Sequence, residues 1–346
     1  MNQDRPAPPP TYSLVVPIFN EEAVIPILLD RLDALLDSLD APGEVIVVDD
    51  GSEDTSAAAI EGKARADRRY RLVKLSRNFG HQIAITAGLD RAAGRAVVVM
   101  DADLQDPPEV IHALVAKWKE GYDVVCAERA SRRGESRFKL ITAGVFYRLI
   151  GGVGEAPIPA NTGDFRLIDR KALDAFLAMP ERDRFVRGMF AWIGFRQAKV
   201  TFDRPPRAAG KSKYSLSRMV ALGANGLISF SDAPLRIALW AGAAVSVFAL
   251  VYGLAVVGRW AFGDPSLERG WSSTIVVIAG LGGANMLMTG VIGLYVGRIH
   301  AEVKRRPLYI VERAAGFDDP PKRMRQPARA SESASPRPGR GRARSS

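Results

Sequence analysis

From Thr11 to about Asn225, short apolar runs alternate with stretches whose apolar residues recur at helical spacing. YSLVVPIF reads as a first strand, ended by Pro17. Residues 21–39 follow, with Val24, Ile27, Leu28, Leu32, Leu35, Leu36 and Leu39 on one helical face. EVIVVDD is a second strand, and residues 52–66 a helix with a capped start. YRLVKLS and residues 82–93 repeat the pair. RAVVVMDAD and a helix through Trp118 repeat it again, and DVVCAE is a fifth strand. Strands that are apolar throughout are buried on both faces, and helices between them supply the cover. The pattern predicts an α/β domain with a mostly parallel sheet over residues 11–214.

Further on the pattern changes. Residues 237–258 and 271–297 carry no charge and show no polar face. A bilayer core takes roughly 20 apolar helical residues, so both runs are expected to be transmembrane helices, forming a hairpin over 233–300. The connection at 259–270 has balanced charge, whereas Arg218 and Arg236 precede the first run and Arg298, Lys304, Arg305 and Arg306 follow the second. The positive-inside rule then predicts a multi-pass protein of the cytoplasmic (inner) membrane, with the α/β domain and both termini in the cytoplasm. Residues 215–232 read as a helix, either lying on the membrane surface or packing on the domain. Gly280, Gly282, Gly283 and Ala284 permit close helix packing, and so a homo-oligomer, without fixing a number of copies.

Composition alone misleads. The chain has 346 residues, a formal net charge of +10 and a mean hydropathy of -0.02, which suggests an ordinary, somewhat basic soluble protein. In residues 301–346, however, Lys and Arg outnumber Asp and Glu by 12 to 5, so most of the charge sits beyond the second apolar run. That segment is expected to be a basic, mostly disordered cytoplasmic tail, as residues 1–10 are expected to be a disordered N-terminus. Without interleaved aromatics, and beside a membrane anchor, the tail points to anionic membrane lipids rather than nucleic acid. A single cysteine, Cys126, excludes an intramolecular disulfide framework, and three histidines leave little for a His-built metal centre.

In parallel α/β sheets the ligand sits beyond the C-terminal strand ends. Here those ends carry Pro17 and Asn20, Asp49 and Asp50, Ser76 and Arg77, and Asp101 and Asp103. The turn after the first strand reads VPIFNEE, which is neither G-x-G-x-x-G nor a P-loop. The strongest motif is VMDADLQDPP. Asp101 and Asp103 could share one hard cation, with the amide oxygen of Gln105 as a third donor, and Mg²⁺ or Mn²⁺ prefers such oxygens. Asp-x-Asp is weak evidence by itself, but a second acidic strand end at Asp49 and Asp50 strengthens it.

VPIFNEE, VIVVDDGSEDTS, SRNFGHQIAITAGLDRAAG, VVMDADLQDPPE and RAAGKSKY together resemble the family 2 glycosyltransferases that act on polyisoprenyl phosphates. The likeness is nearer to bactoprenol glucosyltransferases than to dolichol-phosphate mannose synthases. It implies a GT-A fold, an inverting mechanism, a nucleotide-diphosphate sugar as donor (a UDP-sugar is favoured), Mg²⁺ or Mn²⁺, and a polyisoprenyl phosphate as acceptor. By that resemblance Pro17, Asn20 and Glu22 line the nucleoside pocket, Asp49 bonds the base, and Asp50, Gly51 and Ser52 shape its loop. Arg77 lies along the donor, and Asp101, Asp103 and Gln105 hold the metal. Asp164, in NTGDFR, orients acceptor or sugar, with a salt bridge to Arg166 or Arg170 as its plain structural alternative. Arg129 and Arg137 meet the acceptor phosphate, and Arg207 and Lys211 belong to a loop closing over the diphosphate. His81 at a helix start reads more as structural. The expected reaction moves one sugar, glucose first, to the lipid phosphate. A mannose, N-acetylhexosamine or aminopentose transferase is the nearest rival, and a non-catalytic membrane scaffold a distant one.

Overall fold

The computed structural model describes residues 9–130, 162–182, 184–203, 233–262 and 271–317. Its centre is an eight-stranded sheet of order β7-β5-β6-β4-β1-β2-β3-β8. The strands are β1 (Tyr12–Ile18), β2 (Gly43–Asp49), β3 (Tyr70–Leu75), β4 (Ala96–Val99), β5 (Val124–Arg129), β6 (Thr162–Asp169), β7 (Gln197–Phe202) and β8 (Val311–Ala315). Pairings β1–β2, β2–β3, β1–β4 and β5–β7 are parallel, while β6 runs against β4 and β5, and β8 against β3. The predicted mostly parallel sheet is therefore present, with two strands reversed.

Helices α1 (Ile25–Ser38), α2 (Ser56–Ala66), α3 (His81–Leu89) and α4 (Val110–Lys119) connect the first five strands. Leu14, Val15, Val45, Ile46, Val47, Val97 and Val98 have no exposure, which explains why β1, β2 and β4 read as unbroken apolar runs. Each such side chain contributes about 1.5–3 kcal/mol relative to leaving it in water. Helices α5 (Arg170–Ala178) and α6 (Val186–Trp192) follow β6, and the long helices α7 (Ala233–Ala261) and α8 (Trp271–Val303) come after β7.

Several boundaries differ from the sequence reading, each for a local reason. β1 continues through Pro17 to Ile18, because β4 has already left at Val15↔Val99 and needs no donor from the proline. α1 starts at Ile25, with a proline in its first turn, because residues 20–22 are engaged in cross-loop bonds described below. α3 stops at Leu89, and the chain turns through Gly94, where a Cβ would lie 2.7 Å from the Ser13 nitrogen.

The larger correction concerns residues 301–317. Counted in the basic, mostly disordered tail, they carry Tyr309, 3% exposed, and the edge strand β8, which the sequence reading did not assign. VERAA has no apolar run to announce a strand. It is held by main-chain pairing and by ion pairs from Lys74 to Glu312 (3.3 Å) and from Arg313 to Glu61 (2.9 Å).

α7 and α8 pack on each other and leave large apolar side chains bare, among them Trp240, Phe248 and Met286. Among the described residues one segment, residues 280–303 of α8, is long and apolar enough to cross a membrane; residues 242–255 of α7 form a shorter apolar stretch. The expected surface helix at 215–232 lies outside the described residues.

Candidate active site

The topology itself creates the crevice. From β1 the chain steps outward to β2 and β3, then returns to place β4 on β1's other side, so a cleft opens beyond β1 and β4. β6 is antiparallel to β4, so its beginning lies at the same end of the sheet. Val99 pairs with Arg166, which places Asp101 and Asp164, each two residues nearer the cleft, beside one another.

His81, the first residue of α3, bridges the two carboxylates: Nε2 lies 3.4 Å from Asp101 Oδ1 and 3.3 Å from Asp164 Oδ2. Arg187 of α6 donates to Asp164 through Nε (2.8 Å to Oδ1) and Nη2 (3.0 Å to Oδ2). Gln82 Nε2 donates to Asp164 Oδ2 at 3.1 Å, and its Oε1 accepts from Val186 N at 3.0 Å. Burial alone would raise the Asp164 carboxyl. The bonds from His81 and Arg187, with the charges of Arg187 and Arg166, outweigh it and hold the group well below the usual carboxylate range. Asp164 is thus a fixed anion. Neither Arg166 nor Arg170 forms a direct ion pair with it: Arg166 donates to the Gly163 carbonyl (2.9 Å), and Arg170 to the carbonyls of Ala92 and Gly94.

The Asp101 side is different. Burial, and then the Asp164 and Asp103 charges against a favourable His81, push Asp101 up. Its Oδ1 is buried and accepts no hydrogen bond, with the His81 ring nitrogen 3.4 Å away. The loop beyond it is folded on itself: Gln105 N donates to Asp103 Oδ1 (3.1 Å), Asp101 N to Asp106 Oδ2 (3.4 Å), and Leu104 has φ 58°. Burial and the neighbouring Asp101 charge push Asp106 up to about 7. Among the described residues no three His, Cys, Asp or Glu side chains form a metal cluster. Asp101 and Asp103 with the Gln105 amide suit a cation that takes its remaining oxygens from water and a diphosphate, and the Asp101 Oδ1, which accepts no hydrogen bond, fits that use.

On the β1–β2 side the predicted residues hold one another. Asn20 (φ 54°) donates from N to Ser52 Oγ (2.9 Å), and its Oδ1 accepts from Glu53 N (2.9 Å). Glu22 Oε2 accepts from Thr55 Oγ1 (2.9 Å), and Asp54 Oδ2 from Glu22 N (3.2 Å). Asp50 accepts from Phe79 N (2.7 Å) and Gly80 N (2.9 Å), tying β2 to the loop that leads to His81. Gly51 fits beneath that loop with φ 73°, where a Cβ would be 2.4 Å from the Arg77 carbonyl carbon. Asp49 is fully buried; Oδ1 accepts from Ser52 N (3.0 Å), while Oδ2 has no hydrogen-bond partner. Pro17 is buried within β1. Arg77 is exposed, with its guanidinium 4.0 Å from the Phe79 ring centre.

Arg129, at the end of β5, reaches beside Gly163, and its charge acts on Asp106, so it borders the carboxylates. Arg137, Arg207 and Lys211 lie outside the described residues. His81, Gln82 and Arg187, which the sequence reading did not assign to the site, are the side chains that meet the Asp164 carboxylate. Their signal was the SRNFGHQ block and the lone arginine of FVRG.

The fold is a doubly wound α/β sheet whose switch-point cleft gathers carboxylates, a histidine and an arginine, the place where such sheets hold their ligands. The model of "Glycosyl transferase family 2" matches residues 13–177. The glycosyltransferase YkcC of Bacillus subtilis is 46% identical over 89% of this chain and 95% of its own length. The glycosyltransferase sll0501 of Synechocystis is 44% identical over 88% of this chain and 96% of its own length. The bactoprenol glucosyl transferase of Shigella phage SfII is 38% identical over 87% of this chain and 97% of its own length. The chain belongs to glycosyl transferase family 2, and its sheet domain is the GT-A-like α/β domain of a glycosyltransferase.

Proposed function

We propose that the protein transfers one sugar, glucose, from a UDP-sugar to a polyisoprenyl phosphate at the cytoplasmic membrane face, with inversion at the anomeric carbon. The observation that carries this reading is the state of Asp164. A carboxylate bonded on both oxygens by Arg187 and by His81, and held ionised, is a poor proton acceptor. A sugar hydroxyl acceptor would need a base at this point. A phosphate monoester does not, because with a second pKa of about 6 it is already an anion at neutral pH. Its oxygen attacks the anomeric carbon while the nucleotide diphosphate leaves from the opposite face.

This chain's residues then have distinct tasks. Asp164 and His81 fix the floor of the cleft. Arg129 at its border, with Arg137 from outside the described residues, would receive the lipid phosphate. Asp49 Oδ2, the unpartnered oxygen of the β2 loop, would bond the base. Arg77, Arg207 and Lys211 would line the donor. Asp101, Asp103 and Gln105 would hold Mg²⁺ or Mn²⁺, whose charge would counter that developing on the leaving diphosphate. α7 and α8 would form the two-span anchor that brings the cleft to headgroup level, with both chain ends cytoplasmic. The relative named bactoprenol glucosyl transferase favours glucose and this acceptor.

The test is the purified full chain with a panel of nucleotide sugars, polyprenyl phosphate and Mg²⁺ or Mn²⁺, read by mass spectrometry of the lipids. A hexosyl phosphodiester from UDP-glucose is expected. Nucleotide release without any lipid-linked sugar would overturn the acceptor, and preference for another sugar would overturn glucose.

A further inference from the structure

We propose that the segment leaving α8, residues 302–316, is a brace that holds Arg187 on Asp164, so that the membrane-side helix sets the geometry of the cleft. The inference rests on the reading of Asp164 as part of the active site.

The brace begins where α8 ends. Arg305 adopts a left-handed conformation (φ 46°), uncommon for a residue with a side chain, and turns the chain off the helix axis. By Tyr309 the chain is back in the sheet domain. The Tyr309 hydroxyl donates to Asp90 Oδ2 at 2.7 Å, and the Ile310 carbonyl accepts from Ser76 N at 2.9 Å. β8 then pairs along β3 from Leu75↔Val311 to Leu72↔Ala315. Asp90 is the residue after α3, and Ser76 is the residue before Arg77. The brace therefore grips the β3–α3 unit at both ends of the loop and helix that carry Arg77, His81 and Gln82.

That unit is the fixed point. Ala84 through Leu89 of α3 are all buried, and Gly88 lies so close to the sheet that a Cβ would be 2.3 Å from Val15 Cγ1. α6 is the shorter partner, held through the buried Val186, Met189 and Phe190. It is a seven-residue helix that packs on α5 and β6, and it presents Arg187 from its first turn. The chain leading into α6 is held by the brace: Arg182 N donates to Glu302 Oε1 at 2.8 Å, and Arg182 Nη2 to the Pro307 carbonyl at 3.4 Å. Both holders of Asp164 thus meet the same strap, one through Asp90 and the other through Arg182. A displacement of the α8 exit would move the lead of α6 relative to the anchored α3, and with it the two-pronged contact of Arg187.

Glu302→Ala removes the acceptor for Arg182 N, while Glu302→Gln keeps an oxygen there. Hydrogen exchange of the full-length protein in lipid nanodiscs reads the effect without any substrate. Glu302→Ala should speed exchange over residues 182–192 by at least about tenfold and leave β1–β4 unchanged. Glu302→Gln should restore the slow rate. In turnover, Glu302→Ala should lower kcat about fivefold in the native background and by much less in an Arg187→Lys background, because the two act through one contact. Unchanged exchange in Glu302→Ala, or an equal loss in both backgrounds, would overturn the brace. Absence of a lipid-linked product from the native protein, with the exchange result as expected, would instead overturn the acceptor and leave the brace standing.

Discussion

The two walls of the cleft spend their polar residues differently. On the β1–β2 wall, Asn20, Glu22, Asp50, Ser52 and Asp54 hydrogen-bond to the loop opposite or to its backbone. On the β4–β6 wall, Asp101 and Asp164 face one another across His81, and Asp164 is gripped by Arg187 as well. The first wall is a clasp between two loops, and the second is a cluster of charges, which the proposed reaction would use. Acidic residues at strand ends look alike in a sequence, and only their partners separate the two uses.

Substitutions should respect that division. Asp101→Ala should lower transfer by about 100-fold or more while the protein stays folded, because on the proposed assignment it removes a charge that would hold the cation; initial rates with matched melting curves decide it. Asp50→Ala should do the reverse in kind. It leaves two backbone N–H groups of the Phe79–Gly80 turn without their carboxylate, at a cost of about 2–3 kcal/mol in unfolding free energy measured by denaturant titration. Divalent-ion affinity should rise with pH, since burial pushes the Asp101 carboxyl up, and Asp106 beside it up to about 7, and a cation on Asp101 competes with its proton. Calorimetry should find a gain of at most about tenfold per pH unit for each proton released. The smallest effect belongs to Asn20→Ala, which loses one acceptor on an exposed loop. About 1 kcal/mol of stability and a change in donor KM without a change in kcat are expected.

What the sequence disclosed follows the same physics. Strands covered on both faces must be apolar throughout, so β1, β2 and β4 were visible, and a parallel sheet places their acidic ends together. β8 was not visible, because its stability comes from backbone pairing with β3 and from ion pairs, which leave VERAA looking like tail. Asp101 and Asp103 were legible as a motif. The grip of Arg187 on Asp164 was not, since 23 residues separate them and only the reversed direction of β6 brings them together. His81 looked structural because a histidine at a helix start has no pattern to mark it, yet it touches both carboxylates.

The most direct test of Asp164 as a fixed anion rather than a base is the pH dependence of kcat for the native protein and Asp164→Asn with polyprenyl phosphate as acceptor. The native rate should rise through about pH 6, where the lipid phosphate loses its second proton. Asp164→Asn should lower kcat by a similar factor at every pH and keep that profile. A native profile with an additional limb that vanishes in Asp164→Asn would make Asp164 a titrating base and contradict the assignment.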